Sequence, residues 1–442
     1  MLASLKRAAK LRSGVAAVAQ TLFANVFILG INFGTGIITA RLLGPYGRGE
    51  QAAIILWPQA LAFATTLGLP SALLYNLRRH PERASQLFSA ALLVGTLMGG
   101  IATVIGVLFI PRWLTAYPTE VVHFAQLAMF IAPLMLLSLT FNFVLQAREE
   151  FTLYNAVRYL NPLVTLLVLV SVALIHDLTP FNSAAAYLLP TVPVFLWMLI
   201  RLWKLYRPTW RDLGWAAKRL TSYGVRSYGV DLLGQLSFYL DRIFVVGLLT
   251  PVSMGLYTVA LSLAQMLKVF QDAAVPVLFP KASGRSVEEA ASLAGRAARG
   301  SVIMTATAAV GLGIFSPWAL GMVYGRQYLD AIPVFRLLLF VMVLDSISYV
   351  LFQTFKAVGR PGLVTIPQIL GLGLSVPLLL VLVPRYGLEG VGLALLISAT
   401  VRFVIVLASF PLILKVRVPR LLLTSADLAA IVAAVQEKRE ML

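Results

Sequence analysis

Eight charged residues lie well inside long apolar stretches of the second half of this chain, away from their ends: Asp231, Asp241 and Arg242, then Lys268 and Asp272, then Arg336 and Asp345, and finally Arg402. A charge at membrane depth costs about 2.5 to 3.5 kcal/mol on insertion scales, so each residue there needs a partner or a task. Lys268 and Asp272 are four residues apart, which puts them on one helical face and suits an ion pair. The four cations also suit a second chemistry, the holding of an anionic headgroup in a water-filled cavity. Lys268 and Arg402 lie nearest mid-span, whereas Arg242 and Arg336 lie nearer the outer end. The eight charges cancel, which favours pairing, and Asp272 and Asp345 are candidates for an ion relay. Both readings stay open at this stage.

Other chemistries find little support. The chain has no cysteine, so thiolate and disulfide chemistry are excluded. No GxxxxGK[ST] or HExxH pattern occurs, so neither a P-loop nor that zinc motif is present. His80, His123 and His176 lie far apart at predicted helix ends, which suits surface positions better than ligation. The expected number of metals and cofactors is none. The segments between apolar runs on the outer side are too short for a catalytic domain, which argues against an enzyme.

The elements that position these residues must be transmembrane helices. The chain is 59% hydrophobic and 12% charged, where a soluble domain carries about 25% charged residues. Crossing a hydrocarbon core of about 30 Å takes about 20 apolar residues per helix. Twelve such runs occur, at 14–40, 52–76, 86–111, 121–146, 156–176, 182–202, 223–249, 253–280, 300–324, 330–355, 361–383 and 387–413. They are continuously apolar rather than alternating, which selects helices over barrel strands. The first run is too long for a signal-peptide core and leads straight into a second, so it reads as a retained helix. The fold class is therefore all-α and polytopic.

The net charge of +18 records topology rather than nucleic-acid binding. With both termini cytoplasmic, the outer segments hold Arg41, Arg48, Arg112, Arg326 and Arg385 alone. Four further cations lie well within spans, and the rest of the 36 Lys and Arg residues lie in cytoplasmic segments or at the cytoplasmic ends of spans. That bias is the positive-inside rule, and it predicts an inner (cytoplasmic) membrane protein with both termini inside.

Shifting the sequence by 206 residues superposes Leu42, Leu43, Pro45, Gly49, Gln59, Leu61 and Pro70 on Leu248, Leu249, Pro251, Gly255, Gln265, Leu267 and Pro276. The match predicts two six-helix lobes, 1–202 and 223–413, related by a parallel repeat. Between them, 203–222 reads as a cytosolic amphipathic linker, a short helix in the headgroups with Trp210 and Trp215 at the interface. Residues 414–442 read as a second amphipathic tail. Pro58, Pro70, Pro133, Pro162, Pro190, Pro193, Pro276, Pro333, Pro367 and Pro377 interrupt spans and predict bent helices. The stretch RLLGPYGRGE, Arg41 to Glu50, reads as an outer turn shaped by Gly44, Pro45, Gly47 and Gly49. Arg41 is expected to snorkel to headgroups, and Arg48 is the candidate for gating the outer mouth.

Three stretches carry a resemblance: ITARLLGPYGRGEQAAIILW (Ile38 to Trp57), GLPSALLYNLRR (Gly68 to Arg79) and PRYGLEGVGLALLISATVRFVIVL (Pro384 to Leu407). They resemble the polysaccharide-transporter and O-antigen flippase family of the multidrug/oligosaccharidyl-lipid/polysaccharide exporter superfamily. That resemblance implies a V-shaped pair of lobes around a cavity that opens alternately to each side. It implies a polyprenyl-pyrophosphate-linked oligosaccharide as cargo, with Arg48, Lys268 and Arg402 on its headgroup. Membrane lipids are the other expected partner, and polysaccharide-assembly proteins are candidates. The balance of intramembrane charges departs from the cationic lumen of the family, which leaves Asp272 and Asp345 open as a proton relay. A proton- or sodium-coupled multidrug exporter of the same superfamily is the alternative.

Overall fold

The computed structural model describes residues 2–175, 177–271, 286–360 and 362–421, which contain helices and no strand. The helices are α1 (Leu2–Ala64), α2 (Leu69–Arg79), α3 (Ala84–Trp113), α4 (Thr119–Ala128), α5 (Ala132–Ala147), α6 (Phe151–Leu174), α7 (Pro180–Leu188), α8 (Thr191–Tyr206), α9 (Leu213–Leu248), α10 (Pro251–Gln265), α11 (Val287–Ile314), α12 (Ser316–Val323), α13 (Ile332–Ala357) and α14 (Gly362–Ser409). Among the described residues, nine helical segments are long and apolar enough to cross a membrane.

Two of those nine are too long for one crossing. The apolar part of α1 runs 42 residues and that of α14 runs 53 with the turn that follows it. At 1.5 Å per residue these exceed about 60 Å, twice the hydrocarbon thickness. Each contains one glycine outside helical geometry: Gly44 (φ 66°, ψ 177°) and Gly387 (φ 55°, ψ −131°). Positive φ is a conformation that glycine adopts at no steric cost. At Gly387 the chain folds back, since a Cβ on Gly390 would lie 2.2 Å from the carbonyl oxygen of Leu382. In a straight helix those residues would be about 12 Å apart. Counting both helices twice and adding α9 gives the twelve crossings expected from hydropathy.

Two expectations change. The segment from Leu213 is not a separate interfacial helix but the first turns of the 36-residue α9. No proline interrupts it, so the helix has no reason to stop before Leu248. The second predicted span is broken: helix runs to Ala64, the chain opens at Thr65–Gly68, and α2 resumes with Pro70 in its first turn. Other predicted bends appear as 3₁₀ turns at Met129–Ile131 before Pro133 and at Arg326–Ala331 before Pro333. Pro58 and Pro162 lie within unbroken helix, and Pro276 lies outside the described residues.

The chain divides into two compact units. The first holds Met1–Ser262, Pro317–Ile332 and Leu379–Val391. Its α3 and α5 pack through small residues: a Cβ on Gly95 would meet Leu137, and one on Gly99 would lie 2.4 Å from Pro133 Cα. Spacing small residues four apart lets membrane helices approach closely where no hydrophobic effect drives them. Beside them Phe141 stacks on Phe195 at a centroid distance of 5.6 Å and meets Phe88 at a tilt at 5.7 Å. The second unit holds Leu263–Ser316, Pro333–Leu378 and Gly392–Leu442. Its core places alanines of α11 (Ala290, Ala294, Ala298) against Val350, Leu351 and Phe355 of α13 and Val406 and Phe410 at the end of α14.

Candidate functional site

In the first unit, Gly44 redirects α1, Pro45 opens its second half, and one turn later Gly49 lies against the first turn of α10. A Cβ on Gly49 would stand 1.7 Å from the carbonyl oxygen of Pro251, and one on Gly255 would stand 1.9 Å from that of Pro45. The residues matched by the 206-residue shift therefore meet reciprocally, Pro45 with Gly255 and Gly49 with Pro251. Reciprocal contact of equivalent residues is the mark of a two-fold axis. No side chain separates the two backbones here.

Neighbouring contacts close the same end. Arg41 donates from Nε to the carbonyl of Val323 at 2.8 Å and from Nη2 to that of Met322. It thus caps the C-terminus of α12, whose last carbonyls lack helical partners, instead of reaching for headgroups as expected. The Tyr328 hydroxyl donates to the Ala40 carbonyl at 3.0 Å, and Phe33 meets Tyr324 edge-on at 6.3 Å.

Arg48 is buried, 8% exposed. It donates to the Gln51 side-chain oxygen, and the Gln51 amide donates to the Ser183 hydroxyl. Ser183 is positioned by α7, whose start is fixed by a reciprocal cap between Thr179 and Asn182. The Arg48 Nε has no hydrogen-bond partner among the described residues. Glu50 is also buried, 7% exposed, although sequence alone placed it in an outer turn. Tyr117, in the segment between α3 and α4, feels both effects: burial first, then the Glu50 carboxylate, push its phenol above the usual range.

The break at Thr65–Gly68 exposes backbone that a bilayer would not tolerate unsatisfied. Thr65 and Thr66 return their hydroxyls to Leu61 and Phe63 carbonyls at 2.9 Å each. The Ala64 carbonyl accepts from the hydroxyl of Tyr228 on α9. Leu67 and Gly68 take positive φ, 47° and 70°, and α9 enters the gap with Gly224, whose Cβ would lie 2.4 Å from the Leu67 carbonyl oxygen. Further along α9, Asp241 accepts from the buried Tyr257 hydroxyl of α10. Arg242 places its guanidinium 5.5 Å from the Phe238 ring centre, and Asp231 lies on the same helix.

In the second unit, two predicted residues meet. Arg402 of α14 forms an ion pair with Asp345 of α13, with side chains 19% and 33% exposed. Gly371, on the other arm of α14, leaves room for the Arg402 chain, whose Cδ would lie 3.6 Å from a Cβ there. On the residue after Asp345, the Ser346 hydroxyl lies 3.1 Å from that of Ser301 and 3.4 Å from that of Thr305, a buried cluster of three hydroxyls. Arg336 is exposed and donates to the Gly313 carbonyl near the end of α11 and to the Ser316 hydroxyl at the start of α12, at 3.2 and 3.3 Å. Lys268 is half-buried, and Asp272 lies outside the described residues. No group of three or more His, Asp or Glu suited to a metal ion occurs among the described residues.

Sequence reasoning missed Gln51, Ser183, Tyr228 and Tyr257, because an uncharged polar residue in an apolar helix carries no signal of its own. The break was legible in Gly68 followed by Pro70.

Comparison with known proteins bears on this arrangement. The profile of the polysaccharide biosynthesis protein family matches residues 15–284. A Haloferax volcanii protein named "Probable low-salt glycan biosynthesis flippase Agl15" is 23% identical over 193 residues, 43% of this chain and 41% of that protein. The match thus spans less than half of the relative's length. Among solved structures, "Lipid II flippase MurJ, inward closed conformation" is similar with a TM-score of 0.74 and 13% identity, covering 89% of this chain and 87% of the other. An inward-facing multidrug resistance MATE transporter is similar with a TM-score of 0.67 and 17% identity, covering 90% and 96%. With the profile match covering more than half its length, the chain belongs to the polysaccharide biosynthesis protein family.

Proposed function

We propose that this protein is a flippase that carries a polyprenyl-pyrophosphate-linked oligosaccharide from the inner to the outer leaflet by alternating access between two six-helix lobes, 1–202 and 223–413. The reading is carried by the two-fold crossing at Gly49 and Gly255. Two helix starts held together by bare backbone, with no interlocked side chains, are a closure that can part and re-form as a unit. In this reading the crossing is the outer gate. The pyrophosphate is held by Arg48, Lys268 and Arg402, with Arg242 and Arg336 guiding it from nearer the outer end. Asp345 keeps Arg402 paired until an anionic headgroup takes its place. The name of the Haloferax relative and that of the lipid II flippase are consistent with such a cargo.

One observation favours a second reading. Glu50 is a buried carboxylate in the first half of the chain, which is what a proton-coupled exporter of cationic compounds would need. The shared fold of the MATE transporter suits that reading equally.

The test is transport in proteoliposomes, following protection of a fluorescent polyprenyl-pyrophosphoryl sugar from an external sugar-modifying reagent. Transport by the wild type that Lys268→Ala or Arg402→Ala abolishes supports the flippase. Failure to move that lipid, with export of a cationic dye under a proton gradient that Glu50→Gln removes, selects the second reading.

A further inference from the structure

At the end of the first unit where α2 finishes and α9 begins, aromatic rings hold arginines in fixed positions. Trp215 carries the Arg83 guanidinium 4.4 Å from its ring centre and that of Arg219 at 5.7 Å, while His80 meets it edge-on at 5.4 Å. Two turns further along α9, Tyr75 and Tyr223 stack at 4.3 Å, and Arg79 lies over Tyr75 and donates to its hydroxyl at 2.7 Å. The strand of chain leading into α9 is pinned to the same place: Ser85 donates to the Arg207 carbonyl at 2.6 Å. Arg83 and Arg219 are exposed, and neither donates to a protein acceptor nor joins an ion pair among the described residues. Glu82 is turned to His80, 3.4 Å away. Arg78 is otherwise engaged, capping the end of α5 through Gln146 and Ala147.

A guanidinium held over an aromatic ring uses no N–H donor for that contact and keeps its donors free for a planar or tetrahedral oxyanion. Two of them on one indole are an ordered fork whose conformational cost has been met by the fold, which is the arrangement that favours phosphate over diffuse counter-ions. We propose that Arg83 and Arg219 on Trp215, flanked by Arg79 on Tyr75, form a lipid-phosphate site at this surface of the bilayer. It is separate from the intramembrane cations assigned above. The site takes a phosphate or pyrophosphate headgroup, either of a bulk anionic phospholipid or of a prenyl-linked cargo waiting at the membrane surface. It requires only that the chain lie in a bilayer, not that it transport glycans.

The test is titration of the purified full chain, in a neutral detergent at fixed salt, with short-chain phosphatidylglycerol and, separately, with farnesyl pyrophosphate. The expected result is saturable binding that R83Q/R219Q weakens at least tenfold and R83K/R219K weakens nearly as much, because lysine keeps the charge but not the stacked fork. The exposed pair R211Q/K218Q should change it less than twofold. Loss of phosphatidylglycerol binding in the stacked-pair variants assigns the site to bulk lipid, and loss for farnesyl pyrophosphate alone assigns it to a cargo headgroup. Equal weakening by R211Q/K218Q, full retention by R83K/R219K, or no saturable binding of either probe overturns the proposal. Since the readout is binding, a failed transport assay leaves this result standing, and the reverse also holds.

Discussion

Gly49 and Gly255 face each other across a gap with no room for a methyl group on either side: the backbone nitrogen of each lies within 3.1 Å of where the other's Cβ would be. Both contacts are to backbone, which cannot swing aside as a side chain can. Replacing either glycine by alanine is expected to force the start of α10 away from α1 and to destabilise the protein by about 1 to 3 kcal/mol, the usual range for overpacking. The G49A/G255A double variant should cost clearly less than the sum of the singles, because separation needed for one methyl accommodates the other. Thermal unfolding in detergent checks this, and additive effects would mean that the two sites do not share a contact.

The Arg402–Asp345 pair predicts a different pattern. Removing one partner leaves the other charge half-buried and unpaired, so R402A and D345A should each lower stability by about 1 to 3 kcal/mol, short of the full cost of a deeply buried pair. The double variant R402A/D345A should recover part of that loss. A membrane-abundance and unfolding series measures it; single variants as stable as wild type would remove the structural role of the pair.

At the broken helix, Tyr228→Phe deletes the donor to the Ala64 carbonyl and should cost about 1 kcal/mol. Gly224→Ala should cost more, since its methyl would sit 2.4 Å from the Leu67 carbonyl oxygen. Hydrogen exchange of residues 65–69 is the direct readout, with faster exchange expected in both variants and the larger change in G224A.

One pH effect lies outside the membrane. Glu150, between α5 and α6, bonds Arg148 at 2.6 Å and Arg201 at 3.1 Å. The hydrogen bond from Arg148, then the charges of Arg148 and Arg201, hold its carboxyl below the ordinary 4.5 despite some burial. A lowered folded-state value stabilises the protein above pH 4.5, and that contribution is lost as pH falls through the lowered value. Glu150→Gln should therefore be less stable than wild type at pH 7 by about 0.5 to 1 kcal/mol. The difference should vanish well below pH 4.5 in a pH series of melting curves.

Hydropathy and charge bias made the twelve crossings legible, because a bilayer admits few other solutions for long apolar runs. The glycines that turn the chain were partly legible: Gly44 lay in a recognised turn, whereas Gly387 was taken only as the start of a span. The repeat matched Pro45 with Pro251 and Gly49 with Gly255 as equivalents. Equivalence carries no information about distance, so their mutual contact had to await the fold. The same limit hid the pairing of Asp345 with Arg402, 57 residues apart, and the burial of Glu50, which depends on α4 and the Tyr117 segment arriving beside it. Helix α9 shows the opposite error, in which a basic, Trp-rich composition suggested a separate element although nothing in residues 213–222 ends a helix.

A residue on a two-fold axis meets its own copy. In a half-length ancestor with one such glycine, the crossing of α1 and α10 would have been a parallel homodimer interface in which every substitution was made twice at once. In a single chain that constraint is absent. Gly49 and Gly255 can now be changed one at a time, and the surroundings of the axis have become unequal, with Arg48 and Glu50 beside one glycine and Met254 and Leu256 beside the other. The crossing therefore has two distinguishable sides, which suits the one-way movement of cargo proposed above.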